Sequence, residues 1–261
     1  MYNFEFVKPS SIAEAVKALA EEGAQPLSGG QTLIPTLKQR LNQPDMLVSL
    51  TGIAEMKGVK AEGGALVIGG ATPHAVVAAE AAAQYPALAA LAGNIGDPAV
   101  RNRGTIGGSL ANNDPSACYP SAALASGATI VTDRREIAAD DYFQGMFATA
   151  LEEGEIITAV RLPIPQKAAY VKFNQPASRF ALTGVFVAKY ADGVRVAITG
   201  ASNDGVFRWT EAEEALSANF APEALEGLSL SGDNMISDLH GTGAYRAHLC
   251  KVLTRRAVAA A

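Results

Sequence analysis

Cysteine is almost missing from this chain. Only Cys118 and Cys250 occur, far apart, which excludes a disulfide framework and a four-cysteine iron–sulfur cluster held by this chain alone. Histidine is nearly as scarce: His74, His240 and His248 show no metal-ligand spacing, HEXXH is absent, and all three read as surface or helix-packing residues. No apolar run approaches the ~18 residues of a membrane span. The opening MYNFEFVKPSS lacks the basic-then-apolar layout of a signal peptide. Positive charge is also short: net charge is −5 and the pI about 5.3, so nothing calls for nucleic acid or an anionic membrane as partner. GxGxxG, the P-loop pattern and GxSxG are all absent, which argues against an ordinary dinucleotide fold, a P-loop and a serine hydrolase. Together these absences predict a reduced, cytoplasmic, soluble protein with no catalytic or metal-ligating residues of its own.

What the chain does have is apolar bulk and two unusual turns. Its 261 residues are 49% hydrophobic and 18% charged, enough for one large domain or two modest ones. The stretch Ile95 to Pro115, IGDPAVRNRGTIGGSLANNDP, reads as a loop in which Gly104, Gly107 and Gly108 crowd round Thr105, Ser109, Asn112 and Asn113. Far upstream, Ser28-Gly29-Gly30-Gln31-Thr32 precedes the helix-like LIPTLKQR. Glycine admits close approach, successive amides form anion-binding nests, and hydroxyls add directed donors. Two such turns, one opening a helix, suit the two phosphates of a single ligand. Lacking acid–base machinery, the chain is suited to a cofactor that brings its own reactivity.

Along the chain, residues 1–55 read as β-α-β-α-β. Ser11 and Glu14 suggest a capping box ahead of the Ile12, Val16, Leu19 face, and MLVSL a buried strand. A second block follows. Strands are expected at Ala65–Ile68, Ala128–Thr132 and Ile156–Leu162, with alanine-rich helices over Pro73–Ala83 and Pro86–Ala92, the first capped by Thr72. Pro163, Pro165 and Gln166 look like a linker. Beyond it, Thr183–Tyr190 and Val194–Thr199 form a hairpin signal, Thr210 a cap for EAEEALS, and a long helix from Gly243 carries Tyr245, Leu249, Val252 and Val258. Strands followed by helices make this a small α+β layer.

The two turns, with EIITAVRLPIP and the last α+β layer, resemble the flavoprotein (medium) subunit of molybdenum hydroxylases, the family of carbon monoxide dehydrogenase and xanthine dehydrogenase. The resemblance runs over nearly the full chain. It implies an α+β architecture: a two-subdomain FAD-binding fold of the vanillyl-alcohol oxidase (PCMH) type, residues 1–55 and 56–166, plus a small C-terminal α+β domain, 167–261. It implies FAD held by Ser28, Gly29, Gly30, Gln31, Thr32 and Leu33 on one side and by Thr105, Ile106, Gly107, Gly108 and Ser109 on the other. The amides of Gly29, Gly30, Gly107 and Gly108 are the expected pyrophosphate donors. Asn112 and Asp114 either contact the ribityl chain or ribose, or brace the loop. Ile157 and Lys172 fall where relatives place residues beside the isoalloxazine, although Ile157 also suits a core strand and Lys172 an exposed one. Two departures stand out: Cys118 replaces a usual Asp or Glu, and Asn174–Phe180 lacks the fuller basic pattern. The implied function is electron transfer, from a molybdopterin-containing large subunit through a 2Fe–2S small subunit to FAD and on to NAD⁺, oxygen or a quinone. The implied assembly is a heterotrimer paired into a heterohexamer. The alternatives are a stand-alone nucleotide-binding module and a self-sufficient flavin oxidase.

Overall fold

The computed structural model describes residues 1–261. Its first unit is β1 (Glu5–Val7), α1 (Ile12–Leu19), β2 (Ala24–Leu27), α2 (Leu33–Lys38) and β3 (Met46–Ser49), forming the expected β-α-β-α-β with a parallel sheet ordered β1-β3-β2. Ser11 caps α1 by accepting from the Glu14 amide. The Glu14 carboxylate turns instead to the amide and hydroxyl of Ser10, so the box is only half closed. Ala15 and Leu19 of α1 pack with Val48 of β3, Ile53 and Met56 in a small core.

The second unit is larger. Strands β4 (Val59–Glu62) and β5 (Ala65–Gly69) lead to helices α3 (His74–Glu80), α4 (Pro86–Gly93), α5 (Pro98–Arg101), α6 (Ile106–Asn112) and α7 (Tyr119–Ala125). Then come β6 (Thr129–Thr132), β7 (Glu136–Ala138), α8 (Ala139–Tyr142), the small hairpin β8 (Phe143–Gly145) and β9 (Ala148–Thr149), and β10 (Ile157–Pro163). The antiparallel sheet is ordered β4-β5-β10-β6-β7. Thr72 does not cap α3: its hydroxyl bonds the amide and carbonyl of Gly58, and Pro73 holds the cap position. A core of 29 buried residues joins Ile68 and Val160 of this sheet to Leu88 and Leu91 of α4, Leu110 of α6 and Ala122 of α7. Each large apolar side chain sealed there contributes about 1.5–3 kcal/mol.

The last unit is the antiparallel meander β11 (Lys167–Asn174), β12 (Ala181–Lys189), β13 (Val194–Ser202) and β14 (Gly205–Arg208), followed by α9 (Thr210–Ala218) and α10 (Gly243–Ala260). Strand β12 is buried on both faces. Phe186 and Ala188 join the core around α4 and α7, while Val185 and Val187 face Trp209 and Leu253 beneath α9 and α10. That two-sided burial explains its unbroken apolar run. Thr210 caps nothing, because Trp209 occupies the cap and makes no side-chain bond. Helix α10 buries Leu249 and Val258 as expected, but it leaves Tyr245 outside and takes Arg246 inward. Tyr245 is 41% exposed, whereas Arg246 is buried and donates to the carbonyls of Leu182 and Gly200 and to Asp238. A guanidinium spent on carbonyls can sit in a core, and a hydrophobic pattern cannot reveal it.

A polar knot closes the second unit. The Glu155 carboxylate, fully buried, accepts from the Thr132 hydroxyl, the Arg135 guanidinium and the Glu152 amide. The Arg135 bond leads the effects that hold Glu155 down to about 2. A carboxylate whose pKa falls on folding stabilises above its ordinary value near 4.5, and that stability is lost as pH falls toward 2. Glu155→Gln is therefore expected to cost about 2 kcal/mol at pH 7. In urea titrations the gap to wild type should close progressively between about pH 4.5 and 2. A gap that stays constant over that range would exclude ionisation as its source.

Candidate functional site

The stretch expected to be a loop holds two short helices. Asp97 caps α5 by accepting from the Val100 amide, and Thr105 caps α6 by accepting from the Gly108 amide. Helix α6 ends on Asn113 in the left-handed region (φ 42°), and the Asn113 amide group donates to the carbonyls of Gly145 and Ala148. Arg101 donates to the carbonyls of Ile95 and Gly96, which folds the segment back on itself. Arg101 and Asn113 therefore shape the turn rather than wait for a ligand.

The first glycine turn lies directly on the second. Gly29 packs against the carbonyl of Arg103 and the Cα of Gly104 so closely that a Cβ would collide with both. Beside them Ser28 Oγ and Thr105 Oγ1 share a hydrogen bond of 2.7 Å across 77 positions of sequence. Gly30 takes φ +70°, which glycine alone adopts at little cost. The amides of Gly29, Gly30, Gln31, Thr32 and Leu33 donate to nothing within the chain. Such a run of free N–H groups forms an anion nest, and a diphosphate is the ligand whose charge and spread suit it.

These turns border one cavity of about 630 Å³, within the ~300–1,000 Å³ typical of small-molecule sites. Ser28 to Leu33, Thr105, Gly107, Gly108, Ser109, Asn112, Asp114, Ile157 and Lys172 all line it. Ile106 does not, since its side chain is buried in the core beneath α6. The geometry corrects two of the expected donors. The Gly107 amide is spent on the Gly70 carbonyl at 2.9 Å, and the Gly108 amide on the Thr105 hydroxyl at 3.2 Å. The second turn thus offers hydroxyls, Ser109 Oγ among them, and the first turn offers amides. Asp114 accepts from the Ser116 amide, the bracing role of the two weighed for it.

Lys172 reaches the cavity from β11. Its ammonium donates to the carbonyls of Asn94 and Arg179 at 2.6 and 2.8 Å and lies 3.6 Å from Cys118 Sγ. Cys118, noted in the sequence as a departure, lines the cavity, and so does His74, which sequence reasoning passed over as a site residue. His74 was one of three isolated histidines. Its signal was its place just after the Gly69-Gly70 turn, at the mouth of a helix. It is buried, unlike His240 and His248, which are exposed. Burial first, and the nearby Arg101 charge second, push its imidazole down to about 4, so it is uncharged at neutral pH.

Residues 2–165 match the family described as the FAD binding domain in molybdopterin dehydrogenase. The chain belongs to this family. It is 34% identical to the carbon monoxide dehydrogenase medium chain of Afipia carboxidovorans, over 98% of this chain and 96% of that one. It is equally 34% identical to the nicotine 6-hydroxylase medium subunit of Paenarthrobacter nicotinovorans, over 97% and 95%. Among solved structures it superposes on reconstituted CO dehydrogenase from Oligotropha carboxidovorans with a TM-score of 0.89 at 32% identity, covering 99% of this chain and 97% of that one. Quinoline 2-oxidoreductase from Pseudomonas putida 86 gives 0.87 at 28%, covering 100% and 97%. As a member of the molybdopterin dehydrogenase FAD-binding family, the chain is an α+β FAD-binding protein, an oxidoreductase component of molybdenum hydroxylase-type dehydrogenases. No helix is long and apolar enough to cross a membrane.

The contact between the turns generates a direct test. Gly29→Ala drives a methyl into backbone and is expected to cost about 1–3 kcal/mol. Gly227→Ala, which meets nothing within 4 Å, serves as the neutral control. Equal unfolding midpoints for the two variants would mean that the turns do not depend on each other.

Proposed function

We propose that this chain is the electron-transfer flavoprotein subunit of a molybdenum hydroxylase complex. It takes electrons from a molybdopterin-containing large subunit by way of a 2Fe–2S small subunit and delivers them to NAD⁺, oxygen or a quinone. The observation that carries this reading is the run of five free amides at Gly29–Leu33, held against the second turn and facing the same cavity as Lys172. The relatives add support, since those at 34% identity are named as medium chains or subunits of a dehydrogenase and a hydroxylase. The fold we assign is the PCMH type, with 1–55 and 56–166 as its two FAD-binding subdomains and 167–261 as a C-terminal α+β domain that adds Lys172 to the cavity wall. The assembly we assign is a heterotrimer, paired into a heterohexamer, in the cytoplasm.

When bound, FAD supplies the change between one-electron and two-electron chemistry. The chain's own part is binding and tuning. The amides of Gly29 to Leu33 take the diphosphate, and the hydroxyls of Thr32, Thr105 and Ser109 add donors around it. Ser28 and Thr105 hold the two turns in register, so little ordering remains to be done on binding. Ile157, buried on β10, gives the cavity an apolar wall. Lys172, fixed by two carbonyls, sets a positive charge on the cavity wall and favours electron-rich species beside it.

Gly108 separates binding from folding. A Cβ there would touch only the Thr105 hydroxyl at 3.0 Å and Ser28 Cβ at 3.7 Å, without meeting backbone. Wild-type protein should be yellow and release FAD on denaturation, whereas Gly108→Val should fold, melt near the wild-type temperature and purify colourless. A fully loaded Gly108→Val protein would refute the placement of the diphosphate.

Lys172→Met removes that positive charge from the cavity wall. In potentiometric titrations of the assembled complex the FAD midpoint is expected to fall by about 30 mV or more, the equivalent of about 1.4 kcal/mol for two electrons. An unchanged midpoint would remove Lys172 from the tuning role. Purification of the native complex without copurifying metal-containing subunits would refute the electron-transfer assignment itself.

A further inference from the structure

Two unmet donors lie beside Gly104. One is the amide of Gly29, which is buried against the backbone of Arg103 and Gly104 and donates to nothing within the chain. The other belongs to His74. This residue opens α3, is only 5% exposed, and has its backbone amide fixed to the Gly104 carbonyl at 2.9 Å. Its Nδ1 is sealed from solvent and has no hydrogen-bond partner. Its Nε2 has no partner in the chain either, but it borders the cavity and is not sealed. A Cβ on Gly104 would come within 2.6 Å of that nitrogen, so the missing side chain leaves the ring edge free. An imidazole buried with neither nitrogen satisfied costs stability, and an acceptor on a ligand offsets that cost at the open nitrogen.

The shared neighbour indicates which part of a ligand the ring meets. The Gly29 amide begins the free run at Gly29–Leu33, and the His74 edge lies against the glycine on which Gly29 is seated. A group that answers donors from both turns needs several acceptor oxygens spread over a short span, and a diphosphate has them. The second turn also lacks nitrogen donors of its own, since the amides of Gly107 and Gly108 are spent inside the fold. We propose that His74 is a diphosphate-binding residue, its Nε2–H donating a hydrogen bond to a phosphate oxygen of FAD beside the Gly29 amide. This rests on the reading that the glycine turns hold the diphosphate of FAD. Packing on Tyr119, with ring centroids 5.3 Å apart, holds the imidazole in place for that bond. The ring is neutral at physiological pH, so it contributes a directed bond and no charge.

With only three histidines in the chain, two of them exposed, the full-length wild-type protein can report directly. Stripped of flavin and labelled with ¹⁵N-histidine, it is titrated separately with FAD, ADP, inorganic pyrophosphate, adenosine and riboflavin. The His74 Nε2 resonance should shift with the first three, which carry a diphosphate, and stay in place with adenosine and riboflavin, which carry none. The His240 and His248 resonances should stay in place throughout. His74→Phe, which keeps a ring against Tyr119 and loses the donor, should bind FAD and ADP roughly tenfold more weakly, the scale of one lost hydrogen bond. His74→Gln, which restores a donor, should regain part of the loss. A resonance that follows adenosine or riboflavin and ignores pyrophosphate would put the ring on a nucleoside half and overturn the assignment. Gly108→Val is run alongside. If it loses FAD and ADP while the wild-type resonance ignores ADP and His74→Phe binds ADP like wild type, the His74 assignment fails and the cavity reading stands. If Gly108→Val binds both ligands like wild type, the diphosphate lies elsewhere, and the cavity reading fails and takes the His74 assignment with it.

Discussion

The seating of one glycine turn on another is the contact from which the rest of the site follows. Gly29 can lie against the backbone of Arg103 and Gly104 only because it has no side chain, and the Ser28–Thr105 hydroxyl pair pins that approach. Each turn comes from a different sheet unit, so this contact also joins the parallel β1-β3-β2 sheet to the antiparallel one. The remaining close approaches repeat the device. Gly107 sits on the Gly70 carbonyl, and Gly104 leaves room for His74. Glycine at these places serves packing as much as conformation.

The two turns then divide the labour. In the second, nearly every amide is spent on holding the turn in shape: Gly107 on Gly70, Gly108 on the Thr105 cap, Ile106 on Thr72. In the first, five consecutive amides are left over. Gln31 and Thr32 are exposed, so water can meet their donors, but Gly29 is buried and its unmet amide carries a desolvation cost. That cost is tolerable where a phosphate answers it, so affinity and incomplete internal bonding are two sides of one arrangement.

Much of this was legible in the residues. The β-α-β-α-β opening followed from the Ser11 cap, the Ile12–Leu19 face and MLVSL, and the two Gly-Gly turns, expected to act together, border one cavity. The helices inside Ile95–Pro115 were hidden because glycine and asparagine lower helix propensity, and only the Asp97 and Thr105 caps mark where they begin. Strand β4 escaped notice because its VKAE is mostly exposed and lacks apolar alternation. The burial of His74 and of Arg246 was not legible in the sequence, for a shared reason. A polar residue enters a core through neighbours remote in sequence, here the Tyr119 ring that packs on His74 and the carbonyls of Leu182 and Gly200 that accept from Arg246. Their spacing in the chain carries no trace of those partners.

Strand β12 has a bearing on how the molecule can be cut or spliced. Because Phe186 and Ala188 belong to the core around α4 and α7 while Val185 and Val187 belong to the one beneath α10, the last unit is a wall of the middle one rather than an attachment to it. Ending the chain after Gln166 would strip the cover from α4 and α7 and leave a broad oily face exposed to water, the kind of surface that drives aggregation. Lys172 would be lost with it. The part of the fold that carries the glycine turns cannot lose the part that carries the lysine without baring its own core, so the two walls of the cavity are inherited together.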